Sequence, residues 1–172
     1  FIFMKHYLEF IQESVRKFWN EPALTDFDTD VNYTYGQMAE AAARMHLLFK
    51  AAGVQKGDKI ALCGRNSAGW AVSFLSIVTY EAVVVSILSD FSPESAHHLV
   101  NHSDAKLLIV GDVVQKHIDF AAMPHIQGVL STKDASLIYC RNTGLQQAAE
   151  KWQALFSEAW PKGYTPECVN YP

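Results

Sequence analysis

The sequence predicts an α/β fold: a mostly parallel sheet of βαβ type with helices on both of its faces. Apolar runs of strand length stand at Lys59–Cys63, Val83–Leu88 and Lys106–Val110, rich in β-branched residues. Between them lie stretches of helical length that begin at Ser67 and at Ser92-Pro93, both good helix starts. Such a strand, helix, strand, helix, strand succession closes by right-handed crossovers into a parallel sheet.

The elements follow in order. From Lys5 to Trp19, the residues Tyr7, Leu8, Ile11, Val15, Phe18 and Trp19 fall on one helical stripe, ended by Asn20-Glu21-Pro22. Residues 1–22 are therefore read as an N-terminal amphipathic helix and 23–172 as the α/β subdomain. Ala23–Phe27 and Val31–Tyr33 read as strands joined around Asp28-Thr29-Asp30. Thr34 and Gln37 have capping-box spacing for a helix to Ala52, after which Gly53 supplies a left-handed residue. Gly57-Asp58 turns the chain into Lys59–Cys63. Ser67 caps a helix to about Ala82, followed by the strand to Leu88, a helix from Pro93, and a core strand ending in a turn at Gly111-Asp112. Gly128–Ser131 and Leu137–Tyr139 are further strands. Thr143 with Gln146 is expected to box a last helix to about Trp160, stopped by Pro161 and Gly163.

Composition narrows the function. The 172 residues are 49% hydrophobic and 19% charged, as in a folded globular domain able to build a core without staples. A net charge of -4 gives no basic stripe for nucleic acid. The three cysteines, Cys63, Cys140 and Cys168, have no C-x-x-C spacing and fit a reducing cytoplasm. Phe1-Ile2-Phe3-Met4-Lys5 is too short for the apolar core of an export signal. Asn66–Ser89 holds one charged residue, Glu81, and imitates a membrane span, but it divides into a capped helix and a β-branched strand.

No residue pattern carries catalysis by itself. Gly64-Arg65-Asn66-Ser67-Ala68-Gly69 joins a strand to a helix with P-loop glycine spacing, yet Trp70 and Ala71 stand where Lys and Ser or Thr would meet phosphate and magnesium. It reads as a turn capped by Ser67. His98 and His102 share a helical face beside His97 without an H-E-x-x-H pattern, and Glu94 and Asp104 suit helix ends. There is no G-x-S-x-G elbow. No catalytic, cofactor-binding or metal-binding residue is assigned.

A set of segments stands above this background. Tyr33-Thr34-Tyr35-Gly36-Gln37 leads to Ala51-Ala52-Gly53-Val54-Gln55-Lys56-Gly57-Asp58-Lys59-Ile60-Ala61-Leu62, then to Asn66-Ser67-Ala68-Gly69-Trp70. Ala82-Val83-Val84-Val85, Phe91-Ser92-Pro93-Glu94 and Asn101-His102-Ser103-Asp104-Ala105-Lys106-Leu107-Leu108-Ile109-Val110 follow in order. Their order and spacing resemble the N-terminal portion of the adenylate-forming (AMP-binding) superfamily, and most of all bacterial long-chain fatty acyl-CoA ligases. Two residues depart from that pattern: Glu81 stands where the family usually has Gly, and Ser86 where it usually has Pro.

The resemblance implies an N-terminal subdomain of an enzyme that uses ATP, Mg2+ and coenzyme A to convert a fatty acid to its acyl-adenylate and then its thioester. It implies that the Ser/Thr/Gly-rich phosphate loop and later motifs lie outside this chain, since Tyr164–Pro172 resembles the approach to that loop. The fragment is thus expected to be inactive alone and to bind no cofactor, with the remainder of its own enzyme as its partner. Trp70 and Phe74 are expected to form one wall of the acyl pocket. Homodimer formation and attachment at a membrane surface stay open. So does a different class, a flavodoxin-like or receiver-like α/β binding module, which the βαβαβ order alone supports; Asp112 follows a strand but the leading acidic pair of a receiver is missing.

Overall fold

In a computed structural model that describes residues 5–172, helix α1 (Tyr7–Lys17) leads into a hairpin of β1 (Pro22–Thr25) and β2 (Asn32–Thr34). The apolar stretch Phe1 to Met4 lies outside the described residues. Helix α2 (Tyr35–Ala51) precedes β3 (Lys59–Cys63), α3 (Ala68–Thr79), β4 (Val83–Ile87), α4 (Pro93–His102) and β5 (Leu107–Val110). After a short α5 (Asp112–Gln115) and a 3-10 turn at Phe120–Ala122 come β6 (Gly128–Ser131), β7 (Leu137–Cys140), α6 (Thr143–Glu150) and α7 (Trp152–Ala159). The five-stranded sheet has the order β4-β3-β5-β6-β7, parallel except for β7.

Strand alternation divides the sheet between two cores. Ile60, Leu62, Leu107, Ile109 and Leu130 face α2, α3 and α6, where they meet Leu48, Phe49, Ile77 and Leu145. Ala61, Cys63, Leu108, Val110 and Val129 face the other way, toward Ala96 and Val100 of α4, Val114, and Met123. Every residue of β5 and β6 is buried, as a sheet covered on both faces requires. A third core joins Val15 of α1, Met38 and Ala39 of α2, Val72 and Leu75 of α3, and Val169. The C-terminal segment reaches this layer as a strap, through a 3-10 turn at Pro166–Cys168. The Arg16 guanidinium donates to the Val169 carbonyl, and the Tyr171 amide to Gln12 Oε1 at 2.6 Å.

The expected start signals hold at three helices. Thr34 and Gln37 form a reciprocal capping box, Ser67 accepts from the Trp70 amide at 3.1 Å, and Ser92 accepts from the Ser95 amide with Pro93 at the first position. The last helix differs. Its cap is Asn142 rather than Thr143, and Lys151, at φ -116° and ψ 19°, breaks the expected single helix into α6 and α7. Asn142 wins because its side chain serves two ends at once: its oxygen accepts from the Leu145 amide at 2.9 Å while its amide donates to the Ala52 carbonyl at 3.3 Å. Gly144 then lies against α2, where a Cβ would stand 2.7 Å from the Ala51 oxygen.

Three helices of the βαβ unit end on a left-handed residue. Gly53 (φ 78°), Glu81 (φ 64°) and Asp104 (φ 59°) follow α2, α3 and α4. At α3 the Glu81 amide returns to the Val78 carbonyl and the Ala82 amide to the Ile77 carbonyl, both at 3.2 Å, the paired bonds of a Schellman ending. Position 81 therefore demands what Gly gives without steric cost, and Glu81 bears a penalty of about 1 kcal/mol for its Cβ. Its carboxylate pairs with the exposed Lys56 ammonium, a contact that returns little in water. Glu81→Gly should raise stability by about 0.5–1 kcal/mol, read as a higher midpoint in chemical denaturation, while Lys56→Met should shift it by less than about 0.5 kcal/mol.

Between α2 and α3, the His46 ring lies against Phe49 and Tyr80, and its Nε2–H donates to the Ser76 carbonyl at 2.9 Å and to Thr79 Oγ1 at 3.0 Å. Thr79 spends its own hydrogen on the Leu75 carbonyl at 2.6 Å, so it can accept. Burial penalises the imidazolium and draws the His46 pKa from 6.5 down to about 4, the Ser76 bond opposing this. The unfolded chain takes up this proton as pH falls through 6.5 and the folded chain resists it to about 4. Stability should thus be undiminished by this group above pH 6.5 and fall between 6.5 and 4, by at most about 3 kcal/mol. Denaturation midpoints measured across that interval should lose this slope in His46→Gln.

Candidate functional site

The chain leaves β3 in one direction to form β4 and crosses back over it to form β5, so the order of connections reverses between β3 and β5. In open parallel sheets, ligands sit outside the carboxyl ends of the strands at such a reversal. Here those ends are Gly64 after β3, Gly111 after β5 and Thr132 after β6. They are laced together by the Gly111 amide on the Cys63 carbonyl at 3.0 Å and the Thr132 amide on the Val110 carbonyl at 2.9 Å. Gly64 and Gly111 touch backbone to backbone: a Cβ on Gly64 would lie 3.2 Å from the Gly111 nitrogen.

Two cavities open along this edge. One, of about 290 Å³, lies over the reversal itself, between the β1–β2 hairpin and the loops carrying Arg65, Asp112 and Lys133. The other, of about 450 Å³, lies beside it between α2, the β6–β7 turn and α7, with Glu40, Arg44, Asp134 and Trp152 in its wall. Tyr33, Thr132 and Lys133 belong to both and form the ridge between them.

The larger cavity holds a half-buried cation, Arg44. The Arg44 guanidinium stacks over Trp152 at 3.8 Å from the ring centroid, and its buried Nε has no hydrogen-bond partner. Burial lowers the Arg44 pKa, with the Asp134 carboxylate pulling the other way. At Asp134 itself burial pushes upward, but bonds from Ser136 and the charges of Arg44 and Lys133 outweigh it and hold the carboxyl below its usual range. Burial first, then Asp26 and Asp134, raises the Tyr33 hydroxyl.

The P-loop lookalike is filled from within the chain. The Asp26 carboxylate on the β1–β2 hairpin accepts from the Ala68 amide at the start of α3, and Ser67 accepts from Trp70. A Cβ on Gly69 would stand 2.2 Å from the Thr132 carbonyl oxygen, so the β6–β7 turn closes over the helix start. An acidic side chain thus occupies the place where a P-loop would put phosphate.

The other singled-out residues lie elsewhere. Trp70 and Phe74 stack with centroids 5.5 Å apart and planes at 19°, half-buried against the α2–α3 core, and neither lines these two cavities. His98 and His102 stack on the exposed side of α4, while His97 Nε2 accepts from the Asp119 amide at 3.0 Å and pins the loop after α5. Cys63 is buried with its thiol on the Leu88 carbonyl, and burial pushes its pKa up to about 11. Among the described residues no group of three His, Cys, Asp or Glu is placed to hold a metal ion. Arg44, Asp134 and Asp26 escaped the sequence reading. Arg44 had a signal, as a lone cation in the apolar helical run Ala41-Ala42-Ala43-Arg44-Met45; the other two did not.

A doubly wound, mainly parallel subdomain with an open cleft at its carboxyl edge is the class this fold and site define. The chain belongs to the AMP-binding enzyme family, which matches residues 11–170. It is 26% identical over 153 residues to the acetyl-coenzyme A synthetase of Nostoc linckia, covering 83% of this chain and 44% of that one. Over 89 residues it is 32% identical to the long-chain-fatty-acid–CoA ligase FadD13 of Mycobacterium tuberculosis, covering 52% of this chain and 18% of that one. The fold superposes on the N-terminal domain of FACL13 from Mycobacterium tuberculosis with a TM-score of 0.66 and 24% identity, over 74% of this chain and 34% of that one. The chain spans less than half the length of these relatives, and its architecture is that of the N-terminal part of adenylate-forming enzymes.

Asp26 ties the hairpin to the start of α3, while Phe27 beyond it is fully exposed. Asp26→Ala leaves the Ala68 amide unpaired and should cost about 1 kcal/mol, whereas Asp26→Asn, which keeps an acceptor, should cost a few tenths. Limited proteolysis at Phe27 should quicken in the same order.

Proposed function

We propose that this chain is the N-terminal α/β subdomain of an ATP-dependent ligase that activates a long-chain fatty acid as its acyl-adenylate and passes the acyl group to coenzyme A. The family match over residues 11–170 carries the reading, and it favours a ligase over a bare α/β binding module. The long-chain assignment draws on the segment order in the sequence and on the similarity to FadD13; the similarity to an acetyl-coenzyme A synthetase is what the substrate test below must separate from it. A cytoplasmic setting accords with the three free thiols.

In adenylate formation, ATP with magnesium supplies the phosphoanhydride and the charge that lets pyrophosphate leave. The described residues do not by themselves fit that role. The amide at the start of α3 is already taken by Asp26, and no cluster of metal-binding side chains is in place. The contribution of this chain is instead a rigid carboxyl edge, with Arg65 and Lys133 beside the cleft, against which the remainder of the enzyme brings its phosphate loop. We assign the stacked Trp70–Phe74 pair to one wall of the acyl pocket in that assembled enzyme.

The measurement is thioester formation from ATP, magnesium and coenzyme A with palmitate, acetate or 4-coumarate. It is made on the longer polypeptide that carries this chain and on the 172 residues alone. Turnover with palmitate by the longer polypeptide and none by the 172 residues is expected; preference for acetate or coumarate would overturn the long-chain assignment, and turnover by the short chain the scaffold role. Trp70→Ala should lower kcat/KM for palmitate roughly tenfold while leaving a short acid unaffected.

A further inference from the structure

Two opposite charges on one face of α2 stand unpaired at the larger cavity. Glu40 and Arg44 are one turn apart with the acid on the amino side, the spacing and order at which a helix usually pairs such residues. Yet among the described residues the ion pairs are Lys5–Glu13, Lys56–Glu81 and Lys106–Asp58, and neither Glu40 nor Arg44 enters one. Arg44 also differs from Arg16 and Arg141, whose guanidiniums donate to main-chain carbonyls. Its own lies over Trp152, 3.8 Å from the ring centroid, with a buried Nε that has no hydrogen-bond partner. The Asp134 carboxylate attracts it without forming an ion pair, and accepts instead from the Ser136 amide at 2.9 Å. A guanidinium held flat on an indole keeps its N–H groups in its own plane, where a carboxylate can take two of them. The cavity of about 450 Å³ has the size of a small-molecule site, about 300–1,000 Å³. Beyond the charges its wall turns apolar, with Met45, Val72 and the rings of Trp152 and Phe156, which meet edge to face at 79°.

We propose that this cavity is a binding site for a free α-amino acid with an aromatic side chain, held as the zwitterion. Arg44 takes the carboxylate, Glu40 takes the ammonium, and the side chain lies on the apolar wall. A plain acid would bring its charge beside an unanswered Glu40, and a plain amine would bring its own beside an unanswered Arg44. A zwitterion answers both. Its two charged groups hang from one carbon, a separation that side chains about 5–6 Å apart at their Cβ atoms can span together. The stacked Trp70–Phe74 pair is not part of this cavity, and no bond is made or broken in it. This inference does not depend on the ligase reading, since it uses only the cavity and its charges.

Isothermal titration calorimetry of the 172-residue chain with L-phenylalanine should show a single site. 3-Phenylpropionate, which lacks the ammonium, and phenethylamine, which lacks the carboxylate, should each bind at least roughly tenfold more weakly, because each leaves a charged side chain without its partner. Arg44→Met should abolish phenylalanine binding with an unchanged circular dichroism spectrum. Glu40→Gln should weaken phenylalanine roughly tenfold and bring it level with phenylpropionate, a convergence that a loosened fold would not produce. Glu40 is exposed, so this variant decides the matter if Arg44→Met fails to fold. No binding of phenylalanine, affinity for either analogue equal to that for phenylalanine, or a Glu40→Gln chain that still prefers the zwitterion overturns the proposal.

Discussion

Helix α2 has to be apolar on two sides at once, leaving only a stripe through Gln37, Glu40 and Arg44 for the cleft, and the rest of the molecule is arranged by that requirement. One side, with Met45, Leu48 and Phe49, lies on the sheet; the other, with Met38 and Ala39, lies under α1 and the C-terminal strap. A helix covered on two sides needs small residues where neighbours come closest, and Ala39, Ala42 and Ala43 provide them. At its start the approach is closer still, for a Cβ on Gly36 would stand 2.5 Å from the Trp19 ring. The burial of α2 also explains why residues distant in sequence, Val15 and Val169, share one core: α1 and the strap supply the outer layer that α2 would otherwise expose to water.

Junctions fix the direction of each pass across the sheet. Three successive helices end on a left-handed residue and drop straight into a turn or strand, so the same ending is used with Gly53, Glu81 and Asp104. Only the backbone angle is common to them. The side chains do other work: the Glu81 carboxylate meets Lys56, and the turn at Gly57 donates to the Glu81 carbonyl at 2.8 Å. The ending of α3 is thereby tied to the loop that starts β3, which holds β3 and β4 in register from their amino ends.

The βαβ order, the strand Lys59–Cys63 and the starts of α2, α3 and α4 were legible in the sequence because each is decided by nearby residues, through periodicity, a capping hydroxyl or a proline. What was not legible depends on partners far along the chain. Asn142 displaces Thr143 as a cap because it also reaches Ala52, ninety residues earlier, and Lys151 breaks the last helix. The cleft shows the same division. Its position follows from strand order, but Asp134 and Lys133 reach it only because β6 carries its turn over the start of α3, which no local pattern announces.

The Gly64–Gly69 turn shows why spacing without side chains misleads. Its two glycines stand at P-loop separation, yet each is needed for a neighbour in the protein itself: Gly64 for Gly111, Gly69 for the Thr132 carbonyl. With Asp26 on the first free amide, the helix start is electrostatically satisfied by its own hairpin. An anion brought to this point would have to displace a carboxylate and move the β6–β7 turn. At this helix start the backbone contacts are already filled by the chain itself, by the Asp26 carboxylate on the Ala68 amide and by the Thr132 carbonyl against Gly69, so the turn closes the carboxyl edge rather than opening it to phosphate.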